Sequence, residues 1–148
     1  MNRVMERAQE TDGVFAVMMI DLDKFKSIND RFGHDAGDEV LREFSRRLQE
    51  NIRGVDLVAR FGGEEFFVAM PDVDQHAAAH AAERIRRAIE GAPVPLPGGN
   101  EVEVTVSIGV AIATAADCDA EAIIQRADRA LYNSKQTGRN RVSFAQAA

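Results

Sequence analysis

Residues 57–70 read LVARFGGEEFFVAM, and this stretch predicts a β-hairpin. Two apolar runs, each typical of a strand, are separated by little more than Gly62 and Gly63. Two-residue hairpin loops favour positive φ, which glycine adopts at little steric cost. Two adjacent carboxylates, Glu64 and Glu65, follow the glycines. On these residues alone, a glycine turn flanked by solvated glutamates is favoured over a functional site.

The chain before the hairpin reads as a buried strand followed by two helices. Val14 to Ile20 is a continuous apolar run, and it ends at the acidic stretch Asp21-Leu22-Asp23. A short helical segment is predicted over residues 24–31, and a longer helix over residues 35–52, where apolar residues recur every four positions. Acidic residues at the end of a central strand are well placed to serve as ligands.

The chain after the hairpin alternates helix and strand. An alanine-rich helix is predicted over residues 74–90. Residues 104–112 alternate bulky and small side chains, the clearest strand pattern in the sequence. The small face predicts a helix packed closely against the sheet, although Gly109 is also compatible with a bulge. A last helix over 119–136 and a strand over 141–144 complete the pattern.

The order strand, helices, hairpin, helix, strand, helix predicts an α+β fold. A hairpin within alternating elements favours a mainly antiparallel central sheet flanked by helices. At 148 residues the chain fits a single domain. We expect this domain to cover residues 1–148, with residues 1–13 as a helical lead-in.

Composition narrows the range of partners and locations. The longest apolar run has seven residues, the chain opens with no signal-peptide pattern, and the single cysteine, Cys118, fits a reducing compartment. These features predict a cytoplasmic protein with no membrane contact. The net charge of −6 argues against nucleic-acid binding, which relies on clustered Lys and Arg. A small anionic ligand stays compatible with this charge if divalent cations lie between it and the acids.

The acidic residues are expected to meet at one end of the sheet. If the first strand and the hairpin are neighbours, Asp21 lies close to Glu64 and Glu65. Three converging carboxylates repel one another unless a cation offsets their charge, and Mg²⁺ prefers such oxygen ligands. Two metal ions about 4 Å apart would suit phosphoryl or nucleotidyl transfer. Solvated strand-end acids remain the alternative.

Several motifs in order carry a resemblance to a known family. Residues 21–30 (DLDKFKSIND), 32–35 (FGHD), 37–38 (GD) and 62–66 (GGEEF) closely resemble the GGDEF-domain diguanylate cyclases. The resemblance runs from about residue 14 to residue 142 and implies a nucleotidyl-cyclase or polymerase-palm-like, ferredoxin-like fold. It also implies condensation of two GTP molecules into cyclic di-GMP and pyrophosphate. Glutamate in the third position of the signature is an accepted active variant in this family.

The resemblance implies roles for the acidic residues. Asp21 and Glu64 would bind metal through their carboxylates, and Leu22 would bind it through its carbonyl. Glu64 would also be the catalytic proton acceptor, and Glu65 would support metal binding and catalysis. The implied cofactor is Mg²⁺, with two ions per active site and Mn²⁺ as a substitute.

The resemblance also implies residues that bind GTP. Asn29 and Asp38 would recognise guanine, since a carboxylate accepts hydrogen bonds from guanine N1–H and the exocyclic amine together. Lys135 and Arg139 would bind phosphates, although a lysine there also suits a helix C-terminus. The remaining candidates in the nucleotide site are Lys26, His34, Gly62 and Gly63, and for Lys26 and His34 an ordinary structural role is an open alternative.

A second site is implied by the segment Arg53-Gly54-Val55-Asp56. An Arg and an Asp three residues apart are common by chance, but here they match the position of the family's inhibitory site for cyclic di-GMP. Arginine suits this task because it stacks on guanine and pairs with phosphate. Arg84 and Arg7 fall where the family supplies further arginines to that site.

The N-terminal part of the family pattern is missing. The family's Asp-x-Leu-Thr segment and Asn-Arg-Arg turn do not occur upstream of the first strand. We therefore expect a catalytic domain cut from a longer protein with an N-terminal sensory or receiver domain. Because each domain binds one GTP, the resemblance implies that catalysis needs a homodimer. Two alternatives stay open: a non-enzymatic module that binds GTP or cyclic di-GMP, and a nucleotidyl cyclase of another specificity.

Overall fold

The computed structural model describes residues 2–11, 13–117 and 119–145. Cys118 lies outside this part of the chain, and so does the side chain of Arg7. The helices are α1 (Asn2–Thr11), α2 (Phe25–Phe32), α3 (His34–Glu50), α4 (Gln75–Glu90) and α5 (Ala120–Gln136). The strands are β1 (Val14–Leu22), β2 (Leu57–Arg60), β3 (Glu65–Pro71), β4 (Val94–Pro95), β5 (Glu101–Val102), β6 (Val106–Thr114) and β7 (Arg141–Phe144).

Five strands form the central sheet, in the order β2-β3-β1-β6-β7. The pairs β2–β3, β3–β1 and β1–β6 are antiparallel, and β6–β7 is parallel. The predicted α+β class with a mainly antiparallel sheet is confirmed. Because β1 lies between β3 and β6, its end is adjacent both to the hairpin and to the start of β6.

Helices cover both faces of the sheet because alternate residues of each strand point to opposite faces. Met18 and Ile20 of β1 belong to a core shared with α2, α3 and α4, while Val17 and Met19 belong to a core shared with α1 and α5. None of the described helices combines the length and apolar character that a membrane span requires.

Helix α5 lies very close to β6 at Gly109. A Cβ added to Gly109 would overlap backbone atoms of Ala127 and Leu131 and would lie 2.8 Å from the carbonyl carbon of Ala130. The ladder from β1 continues through Gly109 without interruption, opposite Met19. The close helix packing predicted from the small face of this strand is therefore confirmed, and the bulge is excluded.

The hairpin loop differs from the sequence prediction. The strand ladder ends at Arg60 opposite Phe66, so the loop covers residues 61–64 and is not a two-residue turn. Neither Gly62 nor Gly63 has positive φ. The Arg60 guanidinium donates to Gly62 O at 3.0 Å and to Gly63 O at 2.6 Å. A longer loop closed by a side chain does not need the left-handed backbone of a two-residue turn.

Two further features were not predicted from the sequence. The short strands β4 and β5 pair as a separate hairpin in a region predicted as loop. Arg47 of α3, which is buried, donates to the carbonyls of Ile89 at 2.8 Å and Ala92 at 2.9 Å. It thereby satisfies a carbonyl of the last turn of α4, which has no partner within the helix, and a carbonyl of the segment that follows the helix.

Candidate functional site

The end of β1, the hairpin loop and the end of α5 surround a small cavity of about 180 Å³. Asp21 and Lys135 meet here although they lie 114 positions apart in the chain. Six of the residues singled out from the sequence line this cavity: Asp21, Leu22, Lys26, Glu64, Lys135 and Arg139. Asp23, Lys24 and Phe25 complete the lining.

Asp21 is a buried acid of this cavity, with only 6% of its surface exposed. Burial raises the pKa of its carboxyl, while the hydrogen bond and charge of Lys135 lower it and the neighbouring Glu64 raises it further. The ammonium group of Lys135 donates directly to Asp21 Oδ2. Asp21 is therefore a desolvated carboxylate paired with the ammonium group of Lys135.

The glutamates of the hairpin add negative charge next to Asp21. Glu65 lies opposite Asp21 in the β1–β3 ladder, and the backbone carbonyl of Glu64 accepts from Leu22 N at 3.2 Å. Burial raises the pKa of Glu65, and the charges of Asp128 and Asp21 raise it further. The expected proximity of Asp21 to both glutamates is confirmed.

Asp128 is a charged neighbour of this site that was not predicted from the sequence. It lies on α5 two helical turns before Lys135 and so on the same side of the helix. Burial raises its pKa, and Lys135 lowers it. The only signal in the sequence is its spacing of seven residues from Lys135, which many surface aspartates would share.

The donor set fits a hard cation, although the carboxylates do not form a complete ligand cage. Within the described ranges, no three His, Cys, Asp or Glu side chains are arranged to hold a metal ion. Asp21, Leu22 and Glu64 nevertheless line one cavity. Burial and the charge of Glu64 raise the pKa of Asp21, and a bound cation would offset this repulsion. Mg²⁺ often completes its coordination with substrate phosphates and water, so two or three protein oxygens suit it.

Asp23 has a structural role, unlike Asp21 two residues earlier. Its carboxylate accepts hydrogen bonds from Thr105 Oγ1 at 2.7 Å, Ser107 Oγ at 2.6 Å and the backbone N–H of Asn140 at 3.0 Å. These bonds join the end of β1 to the start of β6 and to the loop before β7. Its position in the sequence indicated a strand end but no specific role.

The two residues expected to recognise guanine are brought together by the packing of α2 on α3. The side chain of Asn29 lies against Gly37, where a Cβ would overlap its Oδ1 and lie 2.9 Å from its Cγ. Asn29 Oδ1 is buried and has no hydrogen-bond partner among the described residues. Asp38, next to Gly37, is exposed and lines a groove with Arg42 and Phe66. The exposed carboxylate of Asp38 suits a polar base edge, whereas the buried Asn29 Oδ1 would have to be uncovered to reach one.

Three other nucleotide-site candidates lie on exposed backbone. His34 begins α3 directly after Gly33, whose φ is 92°. Gly62 and Gly63 are exposed in the hairpin loop, and a Cβ at Gly63 would meet no atom within 4 Å. The space above this loop is therefore open to a ligand.

The candidates for the inhibitory site lie together at another edge of the domain. The Arg53 guanidinium donates to Asp56 Oδ1 at 2.9 Å and to Pro71 O at 2.7 Å, and its side chain is 47% exposed. Arg84 of α4 donates to Asn51 O at 2.8 Å, in the same loop. Arg7 lies on α1, and its side chain is outside the described part of the structure.

Comparison with known proteins gives consistent matches over the whole chain. The family model described as "Diguanylate cyclase, GGDEF domain" matches residues 1–141. The response regulator PleD of Caulobacter vibrioides is 48% identical over 143 residues, which cover 96% of this chain and 32% of PleD. The chain therefore spans about a third of the length of this curated relative.

Solved structures match the fold closely. The GGDEF domain of DgcB from Caulobacter crescentus, solved in complex with c-di-GMP, is 31% identical with a TM-score of 0.92, covering 98% of this chain and 83% of that chain. The active GGEEF domain of a diguanylate cyclase from Vibrio cholerae is 34% identical with a TM-score of 0.89, and the match covers 99% of this chain and 92% of that chain. Residues 62–66 of this chain have the same GGEEF sequence.

Proposed function

Because this chain belongs to the GGDEF domain family of diguanylate cyclases, we propose that two copies of it condense two GTP molecules into cyclic di-GMP. The 3′-oxygen of each GTP forms a bond to the α-phosphorus of the other. The bond between each α-phosphorus and its β-bridging oxygen breaks, and two pyrophosphates leave. The 3′-hydroxyl proton passes to a base in the site.

One observation carries this proposal. A single cavity contains the buried carboxylate Asp21 and the acid Glu64 together with four basic residues: Lys24, Lys26, Lys135 and Arg139. Carboxylates bind a hard cation, and Lys and Arg side chains bind phosphate oxygens. A site that holds both therefore suits a nucleoside triphosphate with its metal ion better than a site with only one of them. Lys26 and Arg139 are exposed and form no salt bridge within the described residues, so both are available to phosphate oxygens.

The acidic side of the cavity is assigned to Mg²⁺. Asp21, Glu64 and the carbonyl of Leu22 would hold it, with Glu65 adding charge from the neighbouring position of β3. When bound, Mg²⁺ supplies positive charge that offsets the charge on the attacking and leaving oxygens.

The other residues bind and orient GTP. Lys135 and Arg139 bind phosphate oxygens at the end of α5. Asn29 and Asp38 bind the guanine edge, where an aspartate accepts from N1–H and the exocyclic amine, a donor pair that adenine lacks. Glu64 accepts the proton of the 3′-hydroxyl. The substrate is therefore GTP in preference to ATP.

Two copies are needed because each GTP must supply a nucleophile to the other and one copy holds one GTP. The relatives are about three times as long as this chain, so a sensory or receiver domain that brings two copies together is part of the proposal. Cyclic di-GMP is both the product and the proposed inhibitor.

The test is product analysis on a dimerised sample. Fusing a parallel dimeric coiled coil before residue 1 and adding GTP with Mg²⁺ is expected to give cyclic di-GMP and pyrophosphate, measured by chromatography and a coupled phosphate assay. ATP in place of GTP is expected to give at least about tenfold less product, since the Asp38 contacts are lost. A dimer that binds GTP but releases neither product would favour a binding module instead.

Product inhibition is the second testable part of the proposal. Arg53→Ala in the fused dimer is expected to raise the cyclic di-GMP concentration for half-inhibition by about tenfold or more, because charge-assisted hydrogen bonds to the ligand are lost. The rate without added product should change little, since Arg53 does not line the cavity at Asp21. Arg87→Ala, an exposed arginine of α4, is the matched control. Unchanged inhibition in Arg53→Ala would remove the regulatory site from the proposal.

A further inference from the structure

The loop between α5 and β7 holds three successive residues with positive φ. The φ angles are 130° at Gly138, 63° at Arg139 and 46° at Asn140. Residues other than glycine rarely adopt this region, and such backbone persists only where the surrounding structure fixes it. Arg139, one of the two proposed phosphate ligands, is the middle one of these three residues.

Asn140 is fixed from two sides. Its backbone N–H donates to Asp23 Oδ2 at 3.0 Å. Its side-chain Oδ1 accepts from Arg86 Nη1 of α4 at 2.9 Å, and its Nδ2 donates to Glu90 of the same helix. Arg86 also pairs with Glu90 at 3.3 Å, and its side chain is only 16% exposed. The amide thus closes a polar network between α4 and the loop.

Asparagine suits this position for two reasons. It tolerates the left-handed region better than most residues other than glycine. Its side chain offers both an acceptor for Arg86 and a donor for Glu90. An aspartate would place a second carboxylate against Glu90, and a glycine would keep the backbone conformation but lose both side-chain bonds.

The backbone of Arg139 is held by hydrogen bonds on both sides, which fixes the direction of its Cα–Cβ bond. Its backbone N–H donates to Ser134 O at 2.9 Å, and its carbonyl accepts from Arg141 Nε at 3.0 Å. With Asn140 also held, the backbone of Arg139 is fixed on both sides, and Arg139 lines the cavity that contains Asp21. No described contact of the Arg139 side chain itself holds it there.

We propose that Asn140, held by Arg86 and Glu90 of α4, is a positioning residue that keeps Arg139 directed at the phosphates of GTP. This inference rests on the proposed function, since it needs Arg139 to bind phosphate. Helix α4 would then act on the substrate site indirectly, through Asn140, since no residue of α4 lines the cavity. Arg86 lies two residues from Arg84 of the proposed inhibitory site, so one helix contacts both regions.

The test measures binding of 3′-deoxy-GTP, which lacks the nucleophile of the proposed reaction, to the whole chain with Mg²⁺ by calorimetry. Arg86→Met and Asn140→Gly break the same contact from opposite sides. Each is expected to weaken binding about tenfold, a change typical of lost hydrogen bonds to a charged group. In a chain that already carries Arg139→Ala, the same two changes are expected to weaken binding of 3′-deoxy-GTP by less than about twofold, because the side chain that Asn140 positions is gone. Arg87→Met, on the same helix but 75% exposed, should bind like the unsubstituted chain.

The outcomes separate this inference from the proposed function. If the unsubstituted chain does not bind 3′-deoxy-GTP, the proposed function fails, and this inference fails with it. If it binds, but both changes weaken binding equally with and without Arg139, they act through general loosening of the fold, and the positioning role is overturned while the proposed function stands. No loss of affinity in either variant would overturn the positioning role as well.

Discussion

Replacing Glu64 with glutamine in the fused dimer is expected to lower cyclic di-GMP formation by about 100-fold or more. Glutamine has nearly the same shape, so the change removes charge and proton affinity with little effect on packing. An amide oxygen is a weaker ligand for a hard cation than a carboxylate, and it does not take up the proton of the 3′-hydroxyl.

The fold should tolerate this change. Glu64 is half-buried beside Asp21, and its charge raises the pKa of that carboxyl by repulsion. Removing the charge is therefore expected to leave the denaturant unfolding midpoint unchanged or slightly raised. Glu101→Gln, an exposed glutamate of β5, is the control and should retain full activity. Activity of Glu64→Gln within threefold of the unsubstituted dimer would exclude Glu64 from the reaction.

The second large effect concerns stability. Gly109→Ala is expected to lower the free energy of unfolding by at least about 3 kcal/mol, because the added methyl group meets backbone atoms of α5 that cannot move aside as a side chain can. Relief requires the whole helix to shift from the sheet, which would also open contacts around Ile123 and Leu131. Urea unfolding followed by circular dichroism measures the change.

Gly54→Ala is the matched control for this experiment. A Cβ at Gly54 would meet no atom within 4 Å, and its φ is not in the left-handed region. The substitution should therefore leave stability unchanged or raise it slightly by restricting the unfolded chain. If Gly109→Ala lowers the free energy of unfolding no more than Gly54→Ala does, α5 moves away from β6 at little cost.

The main elements were predictable where the pattern in the sequence extends over several residues. The alternation around Gly109 indicated both a strand and a closely packed helix, because small side chains on one face leave room for little else. The apolar run of β1 and its acidic end likewise indicated a buried strand with Asp21 at its tip. These signals are local, so one sequence is enough to read them.

The features that could not be predicted from the sequence depend on contacts between distant parts of the chain. Asp21 and Asp23 look alike in sequence, and their different tasks arise from Lys135 in one case and from Thr105 and Asn140 in the other. The hairpin loop was predicted too short because the bonds that Arg60 makes to its carbonyls are not visible in composition. Strands β4 and β5 have two residues each, too few for any periodicity.

The candidate site was predicted through the family resemblance more than through spacing. Lys135 and Arg139 at the end of a helix would by themselves be read as ordinary C-terminal cations. Their placement beside Asp21 follows from the seating of α5 on Gly109, which fixes where the helix ends relative to β1. Sequence spacing alone carries no such three-dimensional information.

The central sheet is bounded on each side by a strand of only four residues, β2 and β7. Short outer strands offer few unpaired backbone groups to another chain, so two sheets have little tendency to fuse side by side. When two copies are held at high local concentration, they are thus free to meet and separate through other surfaces. Reversible encounter of this kind suits the repeated turnover that the proposed function requires, whereas a continuous intermolecular sheet would trap the pair in one arrangement.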